Sequence, residues 1–284
     1  MKRAHLHRAS VLIAVALAST LDWDASVLAG IKYTVTDLGT LGGRNSFAHD
    51  INNNGQVVGE ADLSEGPVHA FLYSGGPLLD LGILDSRYTG SYAYGINDVG
   101  QIVGACYIDG GSVRAFLRSG GVMIDLGTFG GEDSGASRIN NSGHVVGGAN
   151  TPGDEVGYAY KYSGGSMTDL GTLGGPSSQA YDINNSGQIV GVTYLSDIEE
   201  STAFICDGGP MANLNAFIDP ASHWTLLSAN AINSSGQIVG DGINAAGQYH
   251  AFLLTPIPEP ASLTLLTIGG FAILVRRRNT QRPN

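Results

Sequence analysis

Hydrophobic residues in the central part of the chain fall in short runs, separated by turns rich in Asn, Ser and Gly. Residues 179–194 hold two such runs around the turn 185–187 (Asn-Ser-Gly), a composition typical of a tight β-hairpin. Residues 202–214 repeat the pattern around the turn 207–209. Four short strands with short connections fill the unit, so the pattern predicts no helix within it.

The same unit occurs five times. Its marker is Ile-Asn, followed by a Gly and then by Val-Gly, at residues 51–59, 96–104, 139–147, 183–191 and 232–240. A spacing of 43 to 49 residues is typical of propeller blades and other stacked repeats. Runs that are apolar at successive positions, such as residues 70–73, predict sheets covered on both faces. The Gly that ends each marker predicts close approach of a neighbouring backbone.

The two ends of the array predict closure of a ring. Residues 33–41 resemble the fourth strand of a later unit, residues 167–173, whereas the last unit ends after its third strand, residues 251–254. Pairing of the N-terminal strand with the last unit would remove two exposed edges. We therefore predict an all-β fold, a five-bladed β-propeller whose N-terminal strand completes the last blade. An open β-solenoid is the alternative.

Residues 1–29 have the pattern of a secretory signal peptide. Basic residues at 2, 3 and 8 precede the apolar residues 11–18, and small residues before Gly30 offer a cleavage site. An uncleaved anchor is the alternative. The propeller is expected over residues 30–256.

A second targeting signal is predicted over residues 257–284. Pro258, Glu259 and Pro260 precede the apolar residues 261–275, and a basic cluster follows. Fifteen helical residues span about 22 Å, less than a hydrocarbon core of about 30 Å. The segment therefore predicts a short or temporary membrane helix with its basic end in the cytoplasm. The basic residues are Arg276, Arg277 and Arg278.

In order and spacing, these C-terminal elements resemble the PEP-CTERM sorting signal of Gram-negative bacteria that make exopolysaccharide. The resemblance implies an exosortase-type membrane protease as partner and anchoring in the inner membrane during sorting. It also implies a final location in the periplasm, at the cell surface or in the extracellular matrix. An ordinary single-span anchor is the alternative.

The repeats resemble the HAF-repeat family of extracellular proteins. The residues that carry this resemblance are His-Ala-Phe at 69–71 and 250–252, Asp-Leu-Gly-Thr-Leu-Gly-Gly at 37–43 and 169–175, and residues 183–191. The resemblance implies a repeat architecture and an extracellular location, and it brings no catalytic residues.

Charge and composition narrow the classes of partner. Residues 30–257 hold seven Lys and Arg against twenty-two Asp and Glu, a balance that repels nucleic acid. His and acidic residues lack the spacing of known metal sites, so we predict neither a metal nor another cofactor. Cys106 and Cys206 fall in non-equivalent strands, so no structural disulfide is predicted.

Candidate binding residues lie on the innermost strands and on the variable loops. After a repeated Ala, two positions of the innermost strand differ in every unit, and they would place charged and phenolic groups near a central channel. Aromatic side chains on the loops could stack on sugar rings. The candidates are Asp50, Tyr94, Arg138, Tyr181 and Asp182 on the strands, and Tyr88 and Trp224 on the loops. The alternative for the charged residues is capping of strand edges or ion pairing between blades.

We therefore predict a secreted, non-enzymatic surface or matrix protein that binds exopolysaccharide or another glycan. A glycoside hydrolase with Asp50 and Asp182 as acid and nucleophile or base is one alternative. A purely structural or adhesive module that binds proteins is another.

Overall fold

The computed structural model describes residues 34–108, 111–153, 157–195 and 200–257. The predicted signal peptide and the predicted membrane helix 261–275 lie outside the described residues. The chain divides into two compact units, residues 1–37 and 38–284, and all the strands below lie in the second. Within the described ranges, no helix is both long enough and apolar enough to span a bilayer.

The described residues form an all-β fold of consecutive antiparallel sheets, which confirms the predicted class. In this part of the chain four sheets have four strands and the last has three. Sheet 1 holds β1 (Gly42–Ile51), β2 (Val57–Leu63), β3 (Val68–Tyr73) and β4 (Leu79–Gly82); sheet 2 holds β5 (Gly90–Ile96), β6 (Ile102–Tyr107), β7 (Val113–Ser119) and β8 (Val122–Asp125). Sheet 3 holds β9 (Ser134–Ile139), β10 (Val145–Asn150), β11 (Gly157–Ser163) and β12 (Ser166–Asp169); sheet 4 holds β13 (Ser177–Ile183), β14 (Ile189–Tyr194), β15 (Ser201–Cys206) and β16 (Ala212–Asn213). Sheet 5 holds β17 (Thr225–Ile232), β18 (Ile238–Ile243) and β19 (Tyr249–Leu254), and two 3₁₀ helices precede it, Leu214–Phe217 and Pro220–Ser222.

We call the first strand of each sheet (β1, β5, β9, β13 or β17) its innermost strand. The repeated glycine of each second strand lets this innermost strand approach closely. A Cβ atom on Gly59 would lie 1.9 Å from the carbonyl oxygen of Phe47, and one on Gly104 would lie 1.9 Å from that of Tyr92. The equivalent glycines meet innermost-strand carbonyl oxygens in the same way, at Gly147, Gly191 and Gly240. The predicted close approach of a backbone is confirmed.

Opposite this glycine, each innermost strand carries a β-bulge. In sheet 1, Ala48 pairs with Gly59 and Asp50 pairs with Val58, so His49 is left without a cross-strand partner. The register skips the equivalent residue in the other sheets: Tyr94, Ser137, Tyr181 and Asn230. A bulge changes the direction of the side chain of its extra residue. Each innermost strand therefore has one side chain that departs from the regular alternation between the two faces of the sheet.

The Asn of the Ile-Asn marker shapes the first turn of each sheet and joins that sheet to the next. Asn52 Oδ1 accepts hydrogen bonds from the backbone N–H groups of Asn54 and Gln56, both at 3.0 Å. Its Nδ2 donates to the carbonyl oxygen of Asn97 in sheet 2, also at 3.0 Å. Equivalent bonds run from Asn97 to Asn140, from Asn140 to Asn184 and from Asn184 to Asn233. We call this series the asparagine ladder.

The hydrophobic core lies between consecutive sheets. Val58 and Ala70 of sheet 1 pack with Ala93 and Ile96 of sheet 2, and similar clusters lie between the later sheets. This packing explains why the strands are apolar at successive positions, since the sheets between two neighbours bury both faces.

The predicted closing strand is not formed. Residues 34–40 carry no strand, and sheet 5 has three strands among the described residues. In the other sheets a short turn joins the third and fourth strands, so their pairing closes a loop of a few residues. Pairing of residues 33–41 with β19 would close a loop of about 200 residues, which costs more chain entropy. For the described residues, this part of the fold prediction is wrong.

Candidate functional site

The five first turns converge on one cavity of about 280 Å³. Its lining comes from all five sheets and includes the Ile and Asn of every marker: Ile51, Asn52, Ile96, Asn97, Ile139, Asn140, Ile183, Asn184, Ile232 and Asn233. The inner edges of the sheets therefore meet at a common centre.

We call this cavity the turn cavity. Its lining includes Asp98, and hydrogen bonds from other protein groups occupy the Asp98 carboxylate. Asp98 accepts from the backbone N–H and the Nδ2 of Asn53, both at 2.9 Å, and from Asn141 Nδ2 at 2.7 Å. These donors lower the pKa of Asp98. Because the bonds link the turns of sheets 1, 2 and 3, the group serves the structure.

A larger cavity of about 550 Å³ lies farther along the innermost strands, and we call it the channel cavity. Four of the five bulge residues line it, each from a different sheet: Tyr94, Ser137, Tyr181 and Asn230. The rest of the lining is Gly135, Ala136, Arg138 and Gln179. The structure therefore brings together the predicted residues Tyr94, Arg138 and Tyr181.

Backbone carbonyl groups hold Arg138 in place. Its Nη1 donates to the carbonyl oxygen of Tyr94 in sheet 2 and to that of Ser137, the latter at 3.1 Å. Nowhere in the described ranges does a carboxylate form an ion pair with this guanidinium. The side chain is half-buried, so it brings a positive charge to the wall of the cavity.

The two phenols of the channel cavity are neutral at physiological pH. Burial is the main cause that raises the pKa of Tyr94, with a smaller effect from Glu60. Burial, together with the neighbouring Tyr194, raises the pKa of Tyr181 to about 12. Both hydroxyl groups can therefore donate and accept hydrogen bonds.

An aromatic row extends from the channel cavity across sheet 2. The rings of Tyr94 and Tyr92 are nearly parallel with centroids 6.1 Å apart, and Tyr92 and Tyr107 stack at 5.0 Å. His49, which hydrogen-bonds Glu60, lies against Tyr94 at 5.5 Å. Aromatic faces of this kind can pack on the apolar faces of sugar rings.

The two predicted carboxylates do not line the channel cavity. Asp50 accepts hydrogen bonds from the backbone N–H groups of Ile51 and of Ile96 in sheet 2, both at 2.9 Å. Asp182 accepts from Ile183 and from Ile232 in sheet 5, both at 2.8 Å. Each group thus bridges two sheets at a strand edge, which is the alternative interpretation of these residues. Burial raises the pKa of Asp182 despite these donors.

The two loop aromatics lie apart from the channel cavity. Tyr88 is 7% exposed and packs in the core between sheets 1 and 2, with an edge on a separate cleft of about 210 Å³. Trp224 is half-buried against the core between sheets 4 and 5. In this structure packing against the core holds both rings.

The His of the His-Ala-Phe motif makes a cross-strand pair. His69 Nδ1 lies 2.9 Å from a carboxylate oxygen of Asp80, and Arg114, at the equivalent position of sheet 2, lies 3.4 Å from Asp125. The two acidic residues belong to the Asp-Leu-Gly segments of the fourth strands. In sheet 1 the motif thus joins the third and fourth strands, whereas His250 of sheet 5 contacts Asn244.

Sequence reasoning did not include several residues of this site. Ser137 and Asn230 belong to the variable pairs, so their position could have identified them, whereas nothing in the repeat pattern distinguishes Gln179. Tyr92 and Tyr107 form a row only because two neighbouring strands place their rings on one face.

Consecutive antiparallel sheets of one repeated design define the chain as an all-β repeat protein. Residues 256–278 match the PEP-CTERM protein-sorting motif, which confirms that part of the sequence prediction. The motif indicates an exported protein that is anchored in the membrane during sorting.

Solved structures similar to this chain include β-propellers. TolB from Acinetobacter baumannii is 13% identical with a TM-score of 0.45, over 76% of this chain and 55% of that one, so the chain spans about half of TolB. A fungal lectin from Aleuria aurantia, described as a six-bladed β-propeller with a novel mode of fucose recognition, is 12% identical over 73% of each chain, with a TM-score of 0.36. A variant of that lectin in complex with α-methyl-L-fucoside is 13% identical over 76% of this chain and 79% of that one, with a TM-score of 0.35. No curated protein matches this chain.

Proposed function

We propose that this protein is an exported, non-enzymatic component of the cell surface or extracellular matrix that binds a glycan in the channel cavity. The observation that carries the proposal is the convergence of four bulge residues from four sheets on one cavity of about 550 Å³. Cavities of about 300–1,000 Å³ are typical of sites for small ligands. A bulge at the same place in every sheet is a way to vary the lining without changing the fold.

The chemistry of the lining fits a sugar. Tyr94 and Tyr181 offer hydroxyl groups, Gln179 and Asn230 offer amides, and Ser137 offers a further hydroxyl. Sugar hydroxyl groups need such donors and acceptors, and their ring C–H faces need aromatic surface. The aromatic row supplies that surface beside the cavity.

The sorting motif supports the same conclusion. It implies an exosortase-type membrane protease as the partner that processes the C-terminus. Export places the repeats where exopolysaccharide and other envelope glycans are found, so these are the proposed ligands.

The placement of the acidic residues supports binding without hydrolysis. A glycosidase needs two carboxyl groups that face the scissile bond from opposite sides. Asp50 and Asp182 each accept two backbone N–H bonds at the junction of two sheets. These contacts support a structural role for both groups.

We also propose that the five sheets are the blades of a propeller-type array around the turn cavity, with sheets 1 and 5 at its two ends. The support for this arrangement is the turn cavity, because the first turns of all five sheets line it. The asparagine ladder repeats one contact at each of the four junctions between consecutive sheets.

Co-sedimentation of the full-length protein with the host's own exopolysaccharide and with a panel of insoluble glycans tests the glycan proposal. Sugar release is assayed in the same tubes. We expect saturable retention without release, and a loss of retention for Tyr94→Ala and Tyr181→Ala. Tyr249→Ala is the matched control, because this tyrosine is 64% exposed on sheet 5 and does not line the cavity.

Two results would contradict the proposal. Retention by no glycan would redirect the search to protein partners. Sugar release that disappears in Asp50→Asn or Asp182→Asn would identify the protein as an enzyme.

A further inference from the structure

We propose that the ligand of the channel cavity is an acidic saccharide, such as a uronic acid oligomer, and that Arg138 binds its carboxylate. This inference rests on the proposed glycan binding and specifies the chemical class of the glycan.

Arg138 presents a free edge of its guanidinium. The two hydrogen bonds of its head group to the protein both use Nη1, which donates to the carbonyl oxygens of Tyr94 and Ser137. Across the described segments of the chain, no protein acceptor engages Nε or Nη2. These two atoms form the edge that binds a carboxylate through two parallel hydrogen bonds. The carbonyl contacts therefore orient the fork and leave its carboxylate-binding edge to a ligand.

The charge of the lining itself favours an anionic ligand, although residues 30–257 as a whole are acidic. Among the described residues that line the cavity, Arg138 is the one charged side chain and none carries a carboxylate. Asp182 is close enough for Arg138 to stabilise its ionised form electrostatically, but both of its oxygens accept backbone N–H bonds. A half-buried cation without an ion-pair partner is stabilised when a bound carboxylate supplies the opposite charge.

The neutral part of the lining can bind the hydroxyl groups of the same saccharide. Asn230 Nδ2 donates to Asp241 at 2.7 Å, and Gln179 Nε2 donates to Ser137 Oγ at 3.3 Å, so protein contacts hold both amides in place. The Tyr94 hydroxyl can donate to the sugar, whereas the Tyr181 hydroxyl, which already hydrogen-bonds Tyr194, can accept from it. Since the aromatic row continues beyond the cavity through Tyr92, the site suits an oligomer better than a single sugar.

The test compares two oligosaccharides that differ only at C6. Titration calorimetry of the full-length protein is performed with α-1,4-linked trigalacturonate and with the neutral galactose trimer of the same linkage. We expect the acidic trimer to bind about tenfold more tightly or better, since a hydrogen-bonded charge pair is stronger than a neutral contact. Arg138→Gln is expected to abolish that preference, and Arg138→Lys to reduce it, because lysine keeps the charge but lacks the planar fork.

Arg118→Gln is the control, since it makes the same change of charge on β7, outside the cavity. It is expected to leave the preference unchanged. A thermal melt checks the folding of each variant, and if Arg138→Gln does not fold, the reduced preference of Arg138→Lys decides the outcome.

The remaining outcomes separate this inference from the proposed function. Equal binding of both trimers, lost in Tyr181→Ala, would overturn the acidic ligand and leave glycan binding intact. A preference for the acidic trimer that persists in both Arg138 variants would overturn the role of Arg138. Binding of neither trimer, while the host exopolysaccharide is retained, would also overturn the acidic ligand. Failure with every glycan would count against both proposals.

Discussion

The junctions between consecutive sheets differ sharply from the two faces at the ends of the array. The Val directly before the Gly of the marker is fully buried in sheets 1 to 4 but 44% exposed in sheet 5, at Val239. The marker Ile is 63% exposed in sheet 1, at Ile51, and 5% exposed in sheet 2, at Ile96. We call the outer sides of sheets 1 and 5, which carry Ile51 and Val239, the end faces. Residues of one type in one register thus differ in burial according to whether another of the five described sheets packs against them.

Hydrogen bonds between sheets show the same difference. The asparagine ladder crosses every junction between consecutive sheets, but its last member, Asn233, is exposed. The Nδ2 of Asn233 donates to Gln237 within its own turn at 2.9 Å. Each sheet therefore contributes half of a junction, and a junction forms only where another sheet meets it.

The largest effect is expected for Gly104→Ala at the centre of sheet 2. The new Cβ would lie 1.9 Å from the carbonyl oxygen of Tyr92, and this backbone atom can move only if the bulge and the junction shift with it. We expect the free energy of unfolding to fall by about 3 kcal/mol or more. Chemical denaturation followed by tryptophan fluorescence provides the measurement.

Gly76→Ala is the control for this substitution, because a Cβ at Gly76 would meet no atom within 4 Å. Its unfolding curve should match that of the wild-type protein. Equal curves for Gly104→Ala and Gly76→Ala would show that the close approach of the strands has no energetic importance.

Truncation of equivalent valines directly tests the difference between the junctions and the end faces. Val103→Ala removes two methyl groups from a fully buried site between sheets 2 and 3, and it should cost about 2 kcal/mol. Val239→Ala removes the same groups from an end face and should cost no more than about 0.5 kcal/mol. Unfolding in urea measures both. Equal losses would indicate that the end face of sheet 5 is buried in solution.

The asparagine ladder allows a matched pair of polar variants. Asn97→Ala and Asn233→Ala both remove the hydrogen bonds within a turn, but only the former also removes a bond to the next sheet. We expect Asn97→Ala to be more destabilising by about 1 kcal/mol, the typical net contribution of one hydrogen bond. The difference between the two melting curves measures this bond. Losses of equal size would mean that the ladder adds nothing to the stability of the turns.

The features that follow from local sequence could be predicted. Turn residues such as Asn185 and Gly187 fix a hairpin over a few residues, and a repeated Gly within a strand indicates a close approach. The fate of the N-terminal segment could not be predicted. Its resemblance to a fourth strand shows that it is able to pair, but it does not show whether it meets the edge of sheet 5. Tyr88 lies in a variable loop, and only the stacking of sheets 1 and 2 buries it.

The same limit applies within the candidate site. Tyr181 and Asp182 are adjacent and equally variable, and the sequence predicts both as site residues. The bulge directs Tyr181 into the channel cavity, while Asp182 pairs across the strand with Val190 and bonds to sheet 5. Because the position of a bulge depends on the pairing of two strands, the composition of one strand does not reveal which of two neighbours lines the cavity.

The smallest effect is expected from the titration of Asp98, which links turns of three sheets and has no counterpart on the end faces. Its pKa is lowered by the backbone and side-chain donors of Asn53 and by Asn141, so the carboxylate stabilises the folded state above its unfolded pKa. This stabilisation is lost as the pH falls through the folded pKa. In Asp98→Asn this pH-dependent loss of stability should be absent. The difference in melting temperature between variant and wild type should therefore narrow from about pH 6 to about pH 3. Asn53→Ala removes one donor and should show part of the same narrowing. A difference that is constant with pH would mean that the contacts of Asp98 do not depend on its charge.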